Sequence, residues 1–262
     1  MPQLIVHGTT YNIDAILFDK DGTLLNFGDL WIGWFDQLVT TVNRRLPASQ
    51  SISHRDLYPK VGIEPEQRLW DPTGPLTIGS LNDIATILAL SLFEARVPWN
   101  DATEITQDAL HSVSETIDWP RCVTPVKGLQ DFVARASAAG IQCGVVTSDD
   151  AHNAQRHLSI LSLTEHFPVV LGHDQVPRGK PYPDMALAAC QQLGVLPERT
   201  LIIGDSNGDM AMGKAAGLLA GIGICAAPHL DGAHLTLANH VIRDYDALAV
   251  GTPPFTHQGT SA

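Results

Sequence analysis

The feature that most constrains the fold is an alternation of short apolar runs with helical patterns from residue 127 onward. The apolar runs lie at 141–147, 168–172, 200–204 and 220–224, with a further short candidate at 241–245. Between them, apolar residues recur at helical spacing, and Gly140, Gly194 and Gly217 mark predicted helix ends. Apolar strands separated by helices predict a parallel sheet that is covered on both faces. We therefore predict a doubly wound α/β fold.

A block of different character interrupts this pattern after a first predicted strand at 13–18. Three stretches of the block have apolar residues at helical spacing: 30–46, 80–93 and 101–117. Residues 51–79 are rich in Pro and Gly and are predicted to be irregular. Because no run between residues 27 and 121 is typical of a strand, we predict an all-helical insertion there. We call this insertion the cap.

The predicted organisation is a core that is split by the cap. Residues 1–26 and 122–250 are assigned to the α/β core, and residues 27–121 are assigned to the cap. Residues 251–262 are predicted to be a flexible tail.

Composition and charge narrow the class of protein. With 262 residues, 44% of them apolar and 17% charged, the chain is typical of a soluble globular protein. A net charge of −12 disfavours binding to nucleic acids or to anionic membranes. The four cysteines form no CxxC pair and are predicted to be buried thiols. No signal peptide or membrane span is predicted, so we expect a cytoplasmic protein.

Polar residues follow three of the predicted strands. They are Asp19 and Asp21 after 13–18, Thr147 and Ser148 at the end of 141–147, and Asp205 and Asp209 after 200–204. Two carboxylates one residue apart, after a buried strand, are costly unless a positive charge meets them. Either the pair lies in a solvated turn, or it binds a cation that takes part in a reaction. Ligands collect at the carboxyl ends of strands in such sheets, which is where these residues are expected.

Four short motifs in this order carry a resemblance to a known family. The motifs FDKDGTLL, VVTS, GKPYP and IIGDSNGD resemble the four motifs of the haloacid dehalogenase (HAD) superfamily of phosphohydrolases. Residues 127–225 are most similar to the branch that contains phosphoglycolate phosphatase and β-phosphoglucomutase. The resemblance implies a Rossmann-like HAD core with an inserted helical cap.

The resemblance also implies roles for residues of the motifs. Asp19 is expected to be the nucleophile and to form an aspartyl-phosphate. Asp21 is expected to protonate the leaving oxygen and then to take a proton from water. Thr147 and Ser148 are expected to bind the phosphoryl oxygens, through a hydroxyl and a backbone N–H respectively. Lys180 is expected to neutralise the phosphate and to pair with Asp19.

Carboxylates that converge on one position imply a hard cation, for which Mg²⁺ is the expected choice. The assigned ligands are the Asp19 carboxylate, the backbone carbonyl of Asp21 and the Asp205 carboxylate. Asp209 is expected either to support these ligands from outside or to act as an alternate ligand. Mg²⁺ and Lys180 together would make the site locally positive within an acidic protein.

The expected function is therefore a Mg²⁺-dependent phosphatase of a small phosphorylated metabolite, similar to phosphoglycolate phosphatase. A sugar-phosphate mutase needs the same core and remains an alternative, as does a non-catalytic binding module of the same fold. The dehalogenases of the superfamily lack an acid/base carboxylate at the position of Asp21, so the resemblance implies phosphoryl transfer and not carbon–halogen chemistry. A phosphonate hydrolase would need a cap lysine, for which Lys60 is a candidate, and Lys60 with Arg68 could also select an acidic substrate. The sequence leaves the substrate and the oligomeric state open.

Overall fold

The computed structural model describes residues 1–251, and its main feature is a six-stranded sheet. The strands in chain order are β1 (Gln3–Val6), β2 (Thr9–Asn12), β3 (Ala15–Phe18), β4 (Gln142–Val146), β5 (Val169–Leu171), β6 (Thr200–Gly204), β7 (Ala220–Ile224), β8 (His240–Ile242) and β9 (Leu248–Gly251). Strands β3 to β8 form this sheet in the order β5-β4-β3-β6-β7-β8, and every neighbouring pair is parallel. The predicted parallel sheet is confirmed.

Helices cover the sheet and also form the insertion. In chain order they are α1 (Phe27–Asn43), α2 (His54–Val61), α3 (Pro75–Ile78), α4 (Leu81–Glu94), α5 (Trp99–Thr116), α6 (Trp119–Cys122), α7 (Leu129–Ala138), α8 (Ala151–Ile160), α9 (Asp184–Leu193) and α10 (Asn207–Ala215). Helices α1 to α6 lie between β3 and α7, and the described residues of that interval form no strand. The helical insertion is therefore confirmed. The boundaries of the insertion stay a prediction. Helix α6 spans the boundary that was expected between residues 121 and 122.

Strand β3 lies in the middle of the sheet and is buried on both faces. Ile16 and Phe18 belong to one hydrophobic cluster, together with Phe132 of α7. Ala15 and Leu17 point to the opposite face and belong to a second cluster, which contains residues of α9 and α10. A continuous apolar run suits this position because successive side chains alternate between two covered faces.

The hydrogen-bond ladder continues one residue beyond β3. The backbone N–H of Asp19 donates to the carbonyl of Ile203 in β6 at 2.8 Å. Asp19 is therefore fixed at the carboxyl edge of the sheet by the backbone, before its side chain makes any contact.

A second, antiparallel sheet was not predicted from the sequence. Strand β1 lies between β2 and β9 in a three-stranded sheet. The turn between β1 and β2 consists of His7 and Gly8, with φ of 47° and 80°, a pair that gives a weaker turn signal than Asn-Gly. Strand β9 includes Gly251, so the predicted flexible tail at 251–262 starts one residue too early; residues 252–262 lie outside the described residues.

The prediction for residues 51–79 was wrong, because this stretch contains helices α2 and α3. Helix α2 is short and begins after Ser53, whose side chain accepts a hydrogen bond from the Arg55 N–H. Pro59 lies inside α2 and Gly62 ends it with φ of 83°. Pro and Gly were interpreted as signs of a loop, whereas here they lie inside short helices or at their ends.

None of the helices in residues 1–251 has the length and hydropathy that crossing a bilayer requires.

The two chain segments that join the cap to the core pair with each other. The Asn26 N–H donates to the Thr124 carbonyl at 2.9 Å, and the Val126 N–H donates to the Leu24 carbonyl at 2.9 Å. Asn26 also donates through its side-chain amide to the Thr124 hydroxyl at 3.0 Å. The segments therefore run side by side as a two-stranded connection, which we call the paired hinge.

Ser80 caps α4, and its replacement tests how much this cap contributes. The Ser80 side chain accepts from the Asp83 N–H, and the Asp83 carboxylate accepts from the Ser80 N–H. We expect Ser80→Ala to lower the free energy of unfolding by about 1 kcal/mol, because it removes the hydroxyl that accepts from the Asp83 N–H and donates to the Asp83 carboxylate. Urea denaturation would measure this. Ser159→Ala, at an exposed position inside α8, is the control and should change stability by less than about 0.5 kcal/mol.

Candidate active site

The structure brings every predicted site residue to one cavity of about 480 Å³ between the sheet edge and the cap. These residues are Asp19, Asp21, Thr147, Ser148, Lys180, Asp205 and Asp209. They come from the carboxyl ends of β3, β4 and β6, from the loop before α9 and, for Asp209, from the first turn of α10. The sheet edge therefore collects them, as the parallel topology led us to expect.

Lys180 forms the electrostatic centre of this group. Its ammonium group pairs with the Asp19 carboxylate and lies 2.6 Å from Asp209 Oδ1. The other oxygen of Asp209 accepts from the backbone N–H and hydroxyl of Ser206, at 3.1 and 2.6 Å. Asp209 is fully buried. Lys180 and Ser206 therefore hold both oxygens of Asp209 in place.

Burial perturbs the ionisation of the group. It raises the pKa of Asp19 to about 7, with Lys180 opposing the rise and Asp209 adding to it. Burial also raises the pKa of Asp205 well above its usual range, with the charges of Asp19 and Asp209 adding to the rise. Burial by itself would lower the pKa of Lys180, but Asp19 and Asp209 outweigh it and raise that pKa. One lysine is thus surrounded by more negative charge than it can neutralise.

The donor set fits a hard divalent cation. Asp19, Asp205 and Asp209 each offer one carboxylate oxygen, and these three oxygens lie within 4.8 Å of one another. No donor among residues 1–251 forms a hydrogen bond to the Asp205 carboxylate, so its oxygens remain available as ligands. Oxygen ligands of this kind are those that Mg²⁺ prefers.

Gly22 makes room for the Asp205 carboxylate. A Cβ atom at Gly22 would lie 2.0 Å from Asp205 Oδ2, and the backbone there has φ of 75°. A side chain at this position would therefore collide with a candidate metal ligand in addition to straining the backbone.

Replacing Gly22 separates crowding at the site from backbone strain. We expect Gly22→Ala to weaken Mg²⁺ binding, measured by titration calorimetry, by about tenfold or more, because Asp205 has to move. Gly140→Ala is the matched control, since Gly140 has φ of 83° but no atom within 4 Å of the added Cβ. It should lose about 1 kcal/mol of stability and keep its Mg²⁺ affinity. Equal Mg²⁺ affinities in the two variants would contradict this assignment.

Thr147 and Ser148 present donors toward the cavity. The Thr147 hydroxyl oxygen accepts from the Asp149 N–H at 3.1 Å, which leaves its proton free to donate. The backbone N–H of Ser148 donates to no described residue. Both groups could therefore donate to an anion bound next to Lys180.

Asp21 is held by two donors that sequence reasoning missed. The indole N–H of Trp31, in α1, donates to Asp21 Oδ1 at 2.8 Å. The ammonium group of Lys20 lies 2.6 Å from Asp21 Oδ2. Trp31 is buried and also lines the cavity, so it both packs within the cap and contacts the site.

Lys20 is completely buried and has further partners beneath the site. Its ammonium group lies 3.0 Å from Asp149 Oδ2 and 3.1 Å from His157 Nδ1. Asp149 directly precedes Asp150, which is the N-cap of α8. Lys20 lies inside the motif FDKDGTLL, where the two flanking aspartates have expected roles, and this position was the signal that the sequence offered. Nothing in the sequence linked Lys20 to Asp149 or His157, which follow about 130 positions later.

His157 is neutral in this network. Burial lowers its pKa to about 3, and the positive charge of Lys20 adds to the fall while Asp149 opposes it. Lys20 donates to Nδ1, so the ring proton lies on Nε2, which has no partner among the described residues.

The depressed pKa of His157 predicts a component of acid sensitivity. Below pH 6.5 the unfolded chain protonates this histidine whereas the folded protein does not until about pH 3, so stability falls across that window. His157→Asn keeps an acceptor for Lys20 and removes the titration. Its unfolding free energy should therefore fall less steeply between pH 6.5 and 4, by up to about 1.4 kcal/mol per pH unit. Denaturant titrations at several pH values measure the slope.

The exposed His152 on the same helix supplies the control. His152→Asn should leave the wild-type slope unchanged. Parallel curves for the wild type and His157→Asn would show that His157 makes no such contribution.

Lys60 and Arg68, which the sequence suggested for selecting an acidic substrate, both form ion pairs with other residues. Lys60 pairs with Glu94 at 2.5 Å and donates to the Ser91 hydroxyl at 3.1 Å. Arg68 pairs with Asp36. Neither Lys60 nor Arg68 lines the cavity, so the cap presents neither charge to a bound molecule. All four cysteines are free thiols. Cys143, Cys190 and Cys225 are buried as predicted, whereas Cys122 is half-buried.

Known hydrolases are similar in sequence to this chain. The haloacid dehalogenase-like hydrolase family model matches residues 13–217. The N-acetylmuramic acid 6-phosphate phosphatase of Pseudomonas aeruginosa is 29% identical over 208 residues, which cover 78% of this chain and 79% of that protein. A phosphoglycolate phosphatase of Salmonella choleraesuis is 36% identical over 87 residues, or 33% of this chain and 34% of that protein.

Solved structures share the fold. A putative β-phosphoglucomutase from Thermotoga maritima superposes with a TM-score of 0.65, covering 90% of this chain and 96% of that chain, at 18% identity. At this level of identity the likeness concerns the arrangement of the chain and not its reaction.

Proposed function

The chain belongs to the haloacid dehalogenase-like hydrolase family, and we propose that it is a Mg²⁺-dependent phosphatase that hydrolyses a small phosphorylated metabolite through an aspartyl-phosphate on Asp19. Family membership and relatives named as phosphatases support hydrolysis of phosphomonoesters. The Mg²⁺ dependence, the covalent intermediate and the residue roles are the proposed part.

The observation that carries the proposal is the convergence of Asp19, Lys180 and Thr147 on one cavity. A phosphomonoester is anionic, so attack by a carboxylate requires positive charge and hydrogen-bond donors on the phosphoryl oxygens. Lys180 supplies the charge, while the Thr147 hydroxyl and the Ser148 N–H supply donors. The same lysine pairs with Asp19 and thereby favours the ionised, nucleophilic carboxylate.

In the proposed reaction, Asp19 attacks phosphorus and the alcohol leaves. Asp21 protonates the leaving oxygen and then accepts a proton from the water that attacks the aspartyl-phosphate. General acid–base assistance of this kind contributes about 10²- to 10⁴-fold. The two donors on Asp21, Trp31 and Lys20, fix the orientation of its carboxylate between these steps.

The Asp19 carboxylate, the Asp21 carbonyl and the Asp205 carboxylate are the residues that would hold Mg²⁺. When bound, the ion would neutralise charge on the phosphoryl group. Asp209 would support the metal ligands without binding the ion itself, because Lys180 and Ser206 already occupy its two oxygens.

The nearest alternative is a sugar-phosphate mutase, which would use the same core residues and return the phosphoryl group to the sugar. It predicts conversion between sugar phosphate isomers, with little release of inorganic phosphate. A non-catalytic binding module predicts tight binding of an effector without turnover. The full set of candidate catalytic side chains within one cavity favours an enzyme.

Removal of the proposed nucleophile is the direct test. Asp19→Asn keeps the size of the side chain and removes its charge, so phosphate release from a panel of phosphomonoesters should fall by at least about 10³-fold. Release by the wild type should require Mg²⁺ and should stop when the ion is chelated.

Asp131→Asn, at an exposed position in the first turn of α7, is the matched control and should keep wild-type activity. Activity retained in folded Asp19→Asn would contradict the proposed nucleophile. A folded, Mg²⁺-binding wild type that releases no phosphate but interconverts sugar phosphates would favour the mutase.

A further inference from the structure

The cavity that contains the site residues continues away from Asp19 toward the cap. Its cap side is lined by apolar side chains from α1, α3 and α4: Phe27, Trp31, Trp34, Leu76, Ile78 and Ile84. A phosphoryl group bound next to Asp19 and Lys180 leaves this part of the cavity to the rest of the molecule. The cap wall therefore determines which leaving groups fit.

The cap wall carries no positive charge. Among the described residues that line the cavity, Lys180 is the only lysine or arginine, and it already pairs with Asp19 and Asp209. Lys60 and Arg68 are tied to other carboxylates outside the cavity. A second anionic group on the substrate would therefore lie against aromatic and aliphatic side chains with no lysine or arginine of the wall to pair with, which is unfavourable.

The hydroxyl groups on the cap side of the cavity offer acceptors. The Thr73 hydroxyl donates to Asp71 Oδ1 and the Thr77 hydroxyl donates to the Asp71 carbonyl, both at 2.7 Å. The Ser80 hydroxyl donates to Asp83 Oδ2 at 2.8 Å. A hydroxyl has only one proton, so each of these oxygens can act toward a ligand only as an acceptor, and the Ser80 oxygen also accepts from the Asp83 N–H. Lone pairs suit hydroxyl groups of a ligand and disfavour a carboxylate.

The beginning of α4 is a feature of the wall that would favour an anion, and it is neutralised internally. The Asp83 carboxylate accepts from the Ser80 N–H at 2.8 Å and lies in the first turn of the helix. A negative charge of the protein therefore already occupies the positive end of the helix dipole.

We propose that this cavity selects phosphate esters of uncharged alcohols with an apolar or aromatic face, an inference that rests on the phosphatase function proposed above. Leaving groups that carry a second negative charge, such as carboxylates or further phosphates, are discriminated against. The discrimination comes from the cap wall, while the phosphoryl site is common to both classes of ester.

Two substrates that differ in one charge test this proposal. Benzyl phosphate and 4-carboxybenzyl phosphate have similar leaving alcohols, so chemistry at phosphorus is matched. We expect kcat/KM with Mg²⁺ to be at least about tenfold higher for benzyl phosphate. The pair 2-hydroxyethyl phosphate and phosphoglycolate makes the same comparison without a ring, and the hydroxyl compound should again be preferred.

Binding is measured in parallel, so that the outcome does not depend on turnover. Benzylphosphonate and 4-carboxybenzylphosphonate are not hydrolysed, and their dissociation constants for the Mg²⁺-loaded protein are obtained by calorimetry. The uncharged compound should bind at least about tenfold more tightly.

A charge placed on the wall should reverse the preference. Ile78 lines the cavity but is 52% exposed, so a lysine there need not be buried. We expect Ile78→Lys to reduce the benzyl to 4-carboxybenzyl ratio at least about fivefold. Ile78→Gln, which is polar but uncharged, is the matched control and should keep the wild-type ratio.

The outcomes separate this inference from the proposed function. Equal or better use of the carboxylated esters by the wild type overturns the inference and leaves the phosphatase function standing. No hydrolysis of any ester contradicts the phosphatase function, and the phosphonate affinities then decide the inference. Equal phosphonate affinities would overturn it in that case as well.

Discussion

The ion pair between Lys180 and Asp19 is the interaction on which the site depends. Asp19 is fixed by the backbone at the end of β3, while Lys180 comes from a loop 161 residues later, so this contact joins distant parts of the fold. Asp209 adds a second carboxylate to the lysine, and Asp205 lies beside them with its oxygens available. Burial makes each of these charges expensive, and the cluster is tolerable because its opposite charges lie within contact distance.

The motif FDKDG contains two carboxylates that are one residue apart, and each has its own lysine. Asp19 pairs with Lys180 at the cavity, whereas Asp21 pairs with Lys20, which is buried below it against Asp149 and His157. The two negative charges are thus neutralised by separate cations on different sides of the chain. This arrangement explains how adjacent carboxylates can be held in different environments, as distinct roles in one reaction require.

The sequence predicted the parallel sheet and its edge well, because short continuous apolar runs such as AILF and TLIIG are typical of strands that are buried on both faces. Residues that follow those runs could be assigned to one site for the same reason. Lys20, His157 and Trp31 could not be linked to Asp21 from the sequence, since their contacts depend on how α8 and α1 pack over the sheet. The hairpin of β1 and β2 was missed because each strand has only four residues and β2 is mostly exposed, although burial alternates along β1.

The paired hinge has a mechanical consequence for the cap. Two separate connections would let an inserted body shift or tilt in several directions, but segments bonded through Asn26, Thr124 and Val126 resist being pulled apart. A rotation of the cap about the long axis of the paired hinge is the motion that keeps these bonds. Such a rotation would carry Trp31 and the rest of the wall through an arc and would break the hydrogen bond from Trp31 to Asp21. The cavity would widen at the cap side, and Asp21 would keep only Lys20 as its partner.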